Sequence, residues 1–119
     1  GSLGTIPSAH ANAEIVSQII RGASTVWIGY HRLFQQNEWY WVDVAGACFG
    51  LTYTNWNSGE PNNYANQEDC VHLQTQRGTW NDISCDHRFP FLCSKLAQDC
   101  HQLNAVDSVC EDFFDSDGD

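Results

Sequence analysis

Asn55-Trp56-Asn57-Ser58-Gly59-Glu60-Pro61-Asn62-Asn63 is too dense in Asn, Gly and Pro to form a regular element. It lies in an irregular stretch from Gly46 to Asn66, longer than connections in compact domains usually run, and such loops tend to be functional or disordered. The tryptophan and tyrosines within it favour order. Just beyond it stand Glu68 and Asp69, and further on Trp80-Asn81-Asp82. If the strands around Cys70 and before Cys85 pair, the loop and Asn81-Asp82 come together. Three carboxylates (Glu60, Glu68, Asp82) and two amides (Asn62, Asn81) then converge. Calcium takes six to eight oxygen ligands and accepts mixed carboxylate and amide sets. Five protein residues would leave positions for outside ligands. The alternative is that these are ordinary turn residues, for which Asn, Asp and Gly are the usual choice.

Outward from this loop, the pattern alternates between short elements. Leu3 to Ile6 is an apolar run ended by Pro7. Ser8 is placed to cap a helix over Ala9 to Arg21, stopped by Gly22, with Ala13, Val16, Ile19 and Ile20 as its buried face. Strands are expected at Thr25–Tyr30, Glu38–Val44, Cys70–Leu73, Gly78–Asn81 and Phe89–Cys93, with a turn near Arg77-Gly78. Trp27, Trp39, Trp41 and Trp80 read as core. Trp56 and Tyr64 are the loop aromatics that could stack on a ring-shaped ligand, although packing of the loop on the core is the commoner role.

The 119 residues suit one domain, and 42% apolar composition with five tryptophans is ample for a core. No apolar run approaches the ~18 residues of a membrane span. A processed or excised piece of a longer product is expected, because the chain starts at Gly1 and contains no Met. The net charge of -10 argues against nucleic acid or an anionic membrane as partner. That charge is uneven: residues 1–96 carry -3 and residues 97–119 carry -7. The expected organisation is therefore a domain over 1–96 and an acidic tail or linker over 97–119. Glu111 to Asp119 matches the start of a calcium loop of the helix-loop-helix type but stops short of a complete site, so a disordered linker is the favoured reading.

Six cysteines without a Cys-x-x-Cys motif favour an oxidising compartment, hence an extracellular or secreted location. Cys48, Cys70, Cys85, Cys93, Cys100 and Cys110 allow fifteen pairings, and spacing alone does not choose. Cys70-x-His72 and Cys85-x-His87 fit zinc poorly, since structural zinc ligands are usually spaced by two to four residues. Glu60 with Glu68 or Asp82 could be the acid/base carboxylate pair of a glycosidase. Ligation to calcium would keep them ionised, leaving no raised-pKa acid. The chain is therefore read as a binding protein and not an enzyme.

Trp27-Ile28-Gly29, Glu60-Pro61-Asn62, Trp80-Asn81-Asp82, Cys70, Cys85 and Cys93 together resemble the C-type lectin domain over roughly residues 3–96. The resemblance implies an α+β fold with a long loop region supporting calcium-dependent sugar binding. It implies that Glu60, Asn62, Glu68, Asn81 and Asp82 hold both Ca2+ and sugar, that Glu60-Pro61 is cis, and that Cys70 pairs with Cys85. In the family, Glu-Pro-Asn accompanies mannose-type sugars and Gln-Pro-Asp galactose. Hydrogen-bond direction gives the reason: ionised Glu60 only accepts, whereas the Asn62 amide can donate. Mannose, N-acetylglucosamine and fucose present suitable neighbouring hydroxyls. The implied partners are mannose-type glycans or glycoproteins. A protein-binding member of the same fold, with structural or no calcium, is the alternative.

Two departures from the family pattern stand out. Arg32 and Gln36 occupy positions where many members carry acids for an auxiliary calcium, and Asn63 stands at a third, leaving only Asp69 acidic. One calcium is therefore expected, with the loop ordered by other means. The family's first strand, first helix and first cysteine are expected upstream of Leu3, which would leave Cys93 without its family partner and the piece poorly stable alone, or Cys93 paired with Cys48, Cys100 or Cys110. Any oligomerisation element would also lie outside the chain.

Overall fold

The computed structural model describes residues 2–19, 23–33, 38–43, 46–48, 52–94 and 106–114. Its elements are β1 (Ser2–Leu3), α1 (Ala9–Glu14) continued by a π turn (Ile15–Ile19), β2 (Thr25–Arg32), β3 (Trp39–Asp43), β4 (Gly46–Cys48), a 3-10 turn (Tyr64–Asn66), β5 (Cys70–Gln74), β6 (Thr79–Ile83), β7 (Phe89–Ser94) and β8 (Val106–Phe114). The α+β class holds: one short helix packs beside an eight-stranded sheet.

β2 organises the sheet. Its first half pairs antiparallel with β5 (Val26 with Leu73), its second half with β3 (Tyr30 with Trp41), and Trp27 sits beside Phe91 of β7 in parallel. Gly29 is where the chain around Gly4 and strand β3 crowd onto β2. A Cβ there would lie 3.2 Å from the Gly4 carbonyl oxygen and 3.3 Å from that of Val42, so the small residue permits the close approach. Alternation along β2 sends Val26, Ile28 and Tyr30 into the main core with Trp41, Val71, Leu73, Trp80 and Leu92. Trp27 faces a second, smaller cluster with Cys70, Phe91 and Cys93.

Ser8 caps α1 as expected, its Oγ accepting from the Ala11 amide at 3.1 Å. The helix differs from expectation beyond that point. The α geometry ends at Glu14, and the buried residues are Asn12 and Ile15, whereas Ala13 is exposed. β-branched Ile15 and Val16 are poor α-formers, and the π turn lets both pack on the core. Asn12 is drawn inward by polar partners, which apolar periodicity does not reveal. Arg21 and Gly22 lie outside the described residues, as do Val44, Gln36 and Cys100.

The largest difference from expectation concerns the acidic stretch. Val106–Phe114 is not irregular: it forms β8, antiparallel to β7. Val106, Val109, Phe113 and Phe114 are strand-forming types whose preference outweighs the surrounding acids. Residues 95–105 and 115–119 lie outside the described residues. Cys70 and Cys85 form a disulfide, and Cys93 is disulfide-bonded as well, so it is not left without a partner.

Candidate functional site

The β5–β6 hairpin carries the site. Its turn, Thr75 to Gly78, is closed by the Gly78 amide donating to the Gln74 carbonyl at 2.8 Å, and Gly78 takes the positive φ of 71° that the turn requires. The ladder places Val71 opposite Asp82 and His72 opposite Asn81. The long loop docks on the far edge of β6. The Trp80 amide donates to the Asn55 carbonyl at 2.9 Å, and the Asn57 amide to the Trp80 carbonyl at 2.7 Å. The Trp80 indole donates to Asn12 Oδ1 at 2.9 Å, while the Asn12 and Asn55 side chains both donate to the Gly78 carbonyl. Trp80 is thus fixed from the helix, the loop and the turn at once.

Trp56 packs against Trp39 and Trp80, with ring centroids 5.0 and 6.0 Å away, and serves to seat the loop. Tyr64 is the exposed loop aromatic, 74% accessible. Residues 63, 65 and 66 take positive φ around it, and Glu60-Pro61 is cis.

Asp82 is the centre of the polar cluster. It is fully buried, and its Oδ1 and Oδ2 accept from the backbone amides of Asn62 and Asn63 at 3.1 and 2.7 Å. Arg32, 5% exposed, donates from Nη2 to Asp82 Oδ2 at 3.2 Å. The same guanidinium places Nε 3.4 Å from both Asp69 Oδ1 and the Glu68 carbonyl, and lies 4.4 Å from the Trp39 ring centroid. The Arg32 amide also donates to the Asp69 carbonyl at 2.8 Å. An internal cation therefore ties β2 to residues 68–69 and to β6.

Glu60 and Glu68 stand beside this pair. Burial raises Glu60 above the ordinary carboxylate value, and the neighbouring carboxylates of Asp82 and Glu68 raise it further, against the Asn62 amide, which lowers it. Burial also raises Glu68, with Asp82 adding to the shift and the Tyr64 amide, Arg32 and His87 opposing it. Glu68 Oε1 accepts from the Tyr64 amide at 2.9 Å. Glu60 Oε1 is buried without a hydrogen-bond partner. An orphaned buried carboxylate oxygen facing further acids is what a bound cation would relieve.

Of the five expected site residues, Glu60, Glu68 and Asp82 act on one another electrostatically, although their carboxylate oxygens do not all lie within 4.8 Å of one another. Asn62 joins through its backbone amide, with its side chain exposed. The Asn81 side chain turns to a neighbour that sequence reasoning passed over, donating from Nδ2 to His72 Nε2 at 2.9 Å. Burial pushes the His72 imidazole down to about 4, with His87 adding to the shift and Asp82 opposing it. Asn12, Arg32 and His72 are the support missed as such. The hairpin register alone would have set His72 against Asn81. Nothing local marks Asn12, whose partners lie 66 and 68 residues away.

His31, Cys70 and Cys85 are the one trio of potential ligand atoms among the described residues lying within 4.8 Å of one another. Both sulfurs are spent in the disulfide, so the trio offers no thiolate.

Comparison with known proteins agrees with this architecture. Residues 1–95 match the family model described as the lectin C-type domain. A C-type lectin of Micrurus corallinus is 39% identical over 83 residues, covering 68% of this chain and 50% of that protein. A C-type lectin mannose-binding isoform of Oxyuranus scutellatus is 38% identical over 96 residues, covering 74% of this chain and 58% of that protein. Among solved structures, the C-type lectin CEL-I from Cucumaria echinata superposes with a TM-score of 0.56 at 30% identity, covering 69% of this chain and 59% of that one. The chain spans about half the length of the curated relatives it matches. Together with the sheet and the loop docked on β6, these matches show that the chain belongs to the C-type lectin domain family.

Proposed function

We propose that this chain binds mannose-type sugars reversibly through one calcium ion held by Glu60, Asn62, Glu68, Asn81 and Asp82. The observation that carries the reading is Glu60 Oε1, buried and unpartnered in a carboxylate on which Asp82 and Glu68 already press their negative charge. Calcium would supply the missing positive charge and open coordination positions for two sugar hydroxyls. The protein's own part is to set hydrogen-bond direction. Glu60 accepts from a hydroxyl, and the Asn62 amide, exposed at the loop surface, donates to one. That arrangement suits mannose, N-acetylglucosamine and fucose. The mannose-binding name of one relative supports the same choice. No bond is broken in this function, and an extracellular setting fits the disulfides.

One observation favours a second reading, a protein-binding domain with structural or no calcium. Arg32 and two backbone amides already satisfy Asp82. The loop therefore has support that does not depend on an ion.

Retention on immobilised mannose in calcium buffer, beside a galactose column, separates the readings. The sugar reading expects retention on mannose alone, release by chelator and competition by free mannose. Binding that persists in excess chelator, or that free mannose does not compete, would overturn it in favour of the second reading.

A further inference from the structure

Resting on the calcium reading, we propose that His72 is a positioning residue for Asn81: with Thr25 it fixes the orientation of the Asn81 amide, so that Oδ1 is the atom presented as a ligand. The argument is one of hydrogen-bond direction. Asn81 Nδ2 can only donate, so His72 Nε2, 2.9 Å away, accepts. A neutral imidazole accepting at Nε2 carries its hydrogen on Nδ1. His72 Nδ1 lies against Thr25 Oγ1, which takes that hydrogen. The Thr25 hydroxyl then gives its own proton to the Leu73 carbonyl at 3.2 Å. Each link from Asn81 through His72 and Thr25 to the Leu73 carbonyl thus runs from a donor to an acceptor.

The reverse orientation breaks this order. Turning the amide over sets Asn81 Oδ1 against the Nε2 lone pair. Moving the hydrogen to Nε2 would relieve that clash, but Nδ1 would then demand the Thr25 proton and deprive the Leu73 carbonyl. The ring itself has little freedom. It is buried and stacked on Phe89, with centroids 5.3 Å apart and planes at 27°. Among the described residues none donates to Asn81 Oδ1, so that oxygen is left for another ligand. Carbonyl oxygen, not amide nitrogen, is what calcium takes. Partners that orient a metal ligand are generally worth about 10–100-fold in metal affinity.

The test uses the full chain and calcium alone as probe. Calcium midpoints are read from intrinsic tryptophan fluorescence for wild type, His72→Leu, His72→Gln and Thr25→Val, with thermal midpoints in chelator recorded for each. His72→Leu removes the acceptor and should weaken calcium by about tenfold or more. His72→Gln keeps an acceptor for Asn81 Nδ2 and should recover most of that loss. Thr25→Val leaves the ring in place but frees its tautomer, and should fall between them. A folded His72→Leu or Thr25→Val variant with a wild-type calcium midpoint overturns the proposal while leaving the calcium reading intact. A wild-type chain that binds no calcium overturns both. Imidazole nitrogen chemical shifts of the chelated wild type give a readout independent of the ion. Hydrogen on Nδ1 supports the orientation, and hydrogen on Nε2 overturns it.

Discussion

The Arg32 guanidinium meets Asp82 Oδ2 at 3.2 Å with both side chains closed to solvent. Burying the two charges is costly, and the pair holds only because amides of Asn62 and Asn63 complete the carboxylate and Asp69 and the Trp39 ring complete the guanidinium. The consequence is a loop clamped from below by a cation of the protein's own. The resemblance read from the sequence aligns this position with one where many family members carry an acid. Here the position supplies the positive charge itself.

Removing that charge should be among the most damaging single changes in the domain. Arg32→Met leaves Asp82 buried and unpaired, a loss of about 3–5 kcal/mol. Arg32→Met combined with Asp82→Asn should be less damaging than the sum of the two single changes. Calcium should stabilise Arg32→Met by more than it stabilises wild type, because the ion then neutralises an acid that Arg32 no longer serves. Denaturant unfolding with and without calcium checks all three. Equal calcium stabilisation of the two proteins would place the ion away from Asp82.

Glu60 has the opposite character. Its folded pKa, like that of Glu68, is raised above the unfolded value, so the fold prefers the protonated form. The resulting stability is fully present below the ordinary carboxylate value of 4.5 and is lost as pH rises through the raised folded values. At neutral pH, then, the ion-free domain carries a penalty that calcium removes. Glu60→Gln should melt at or above wild type in chelator, yet gain little from calcium. On acidification, calcium should dissociate at a pH above the ordinary carboxylate range, because protons compete for carboxylates that already favour them. Melting curves in calcium and chelator across pH test both statements.

Much of this was legible in the sequence. The strands announce themselves through β-branched and aromatic runs, and Ser8, Gly78 and Pro61 do what their backbone chemistry allows. That Glu60, Glu68 and Asp82 influence one another follows once β5 and β6 pair. What escaped notice depends on partners distant in sequence. No apolar pattern marks Asn12, yet it is buried and bonded to Trp80 and the Gly78 carbonyl. Arg32 reads as a charge opposed to a metal, but its meaning comes from Asp82, fifty positions on. β8 was hidden by composition: the acidic side chains suggested solvation, whereas Val106–Phe114 pairs antiparallel with β7.

His72 should leave a signature in the pH dependence of stability. Its folded value of about 4 lies below the ordinary 6.5. The unfolded chain therefore takes up the proton first. The His72 contribution is present above 6.5 and is lost as pH falls from there through about 4. At full extent the loss is roughly 3 kcal/mol. The raised carboxylates slope the other way over part of that range, so the test is a difference. Wild type minus His72→Gln, both in chelator, should decline between pH 6.5 and 4 and be flat above. A flat difference throughout would mean that the ring charges without cost where it sits.

The last prediction concerns the pair of residues that would read the sugar. Glu60→Gln alone removes a carboxylate from the proposed ion site and should abolish calcium-dependent retention on mannose. Adding Asn62→Asp restores the charge one residue beyond Pro61 and reverses the hydrogen-bond directions: position 60 now donates and position 62 only accepts. The backbone link that fixes this segment is indifferent to the exchange, since Asn62 bonds Asp82 through its main-chain amide. The double variant should therefore regain a calcium midpoint near that of wild type while its retention moves from mannose to galactose. Paired columns with calcium titrations separate the two effects. Recovery of calcium without any shift in sugar would show that residues beyond this pair set the preference, and failure to recover calcium would remove position 62 from the ion's ligands.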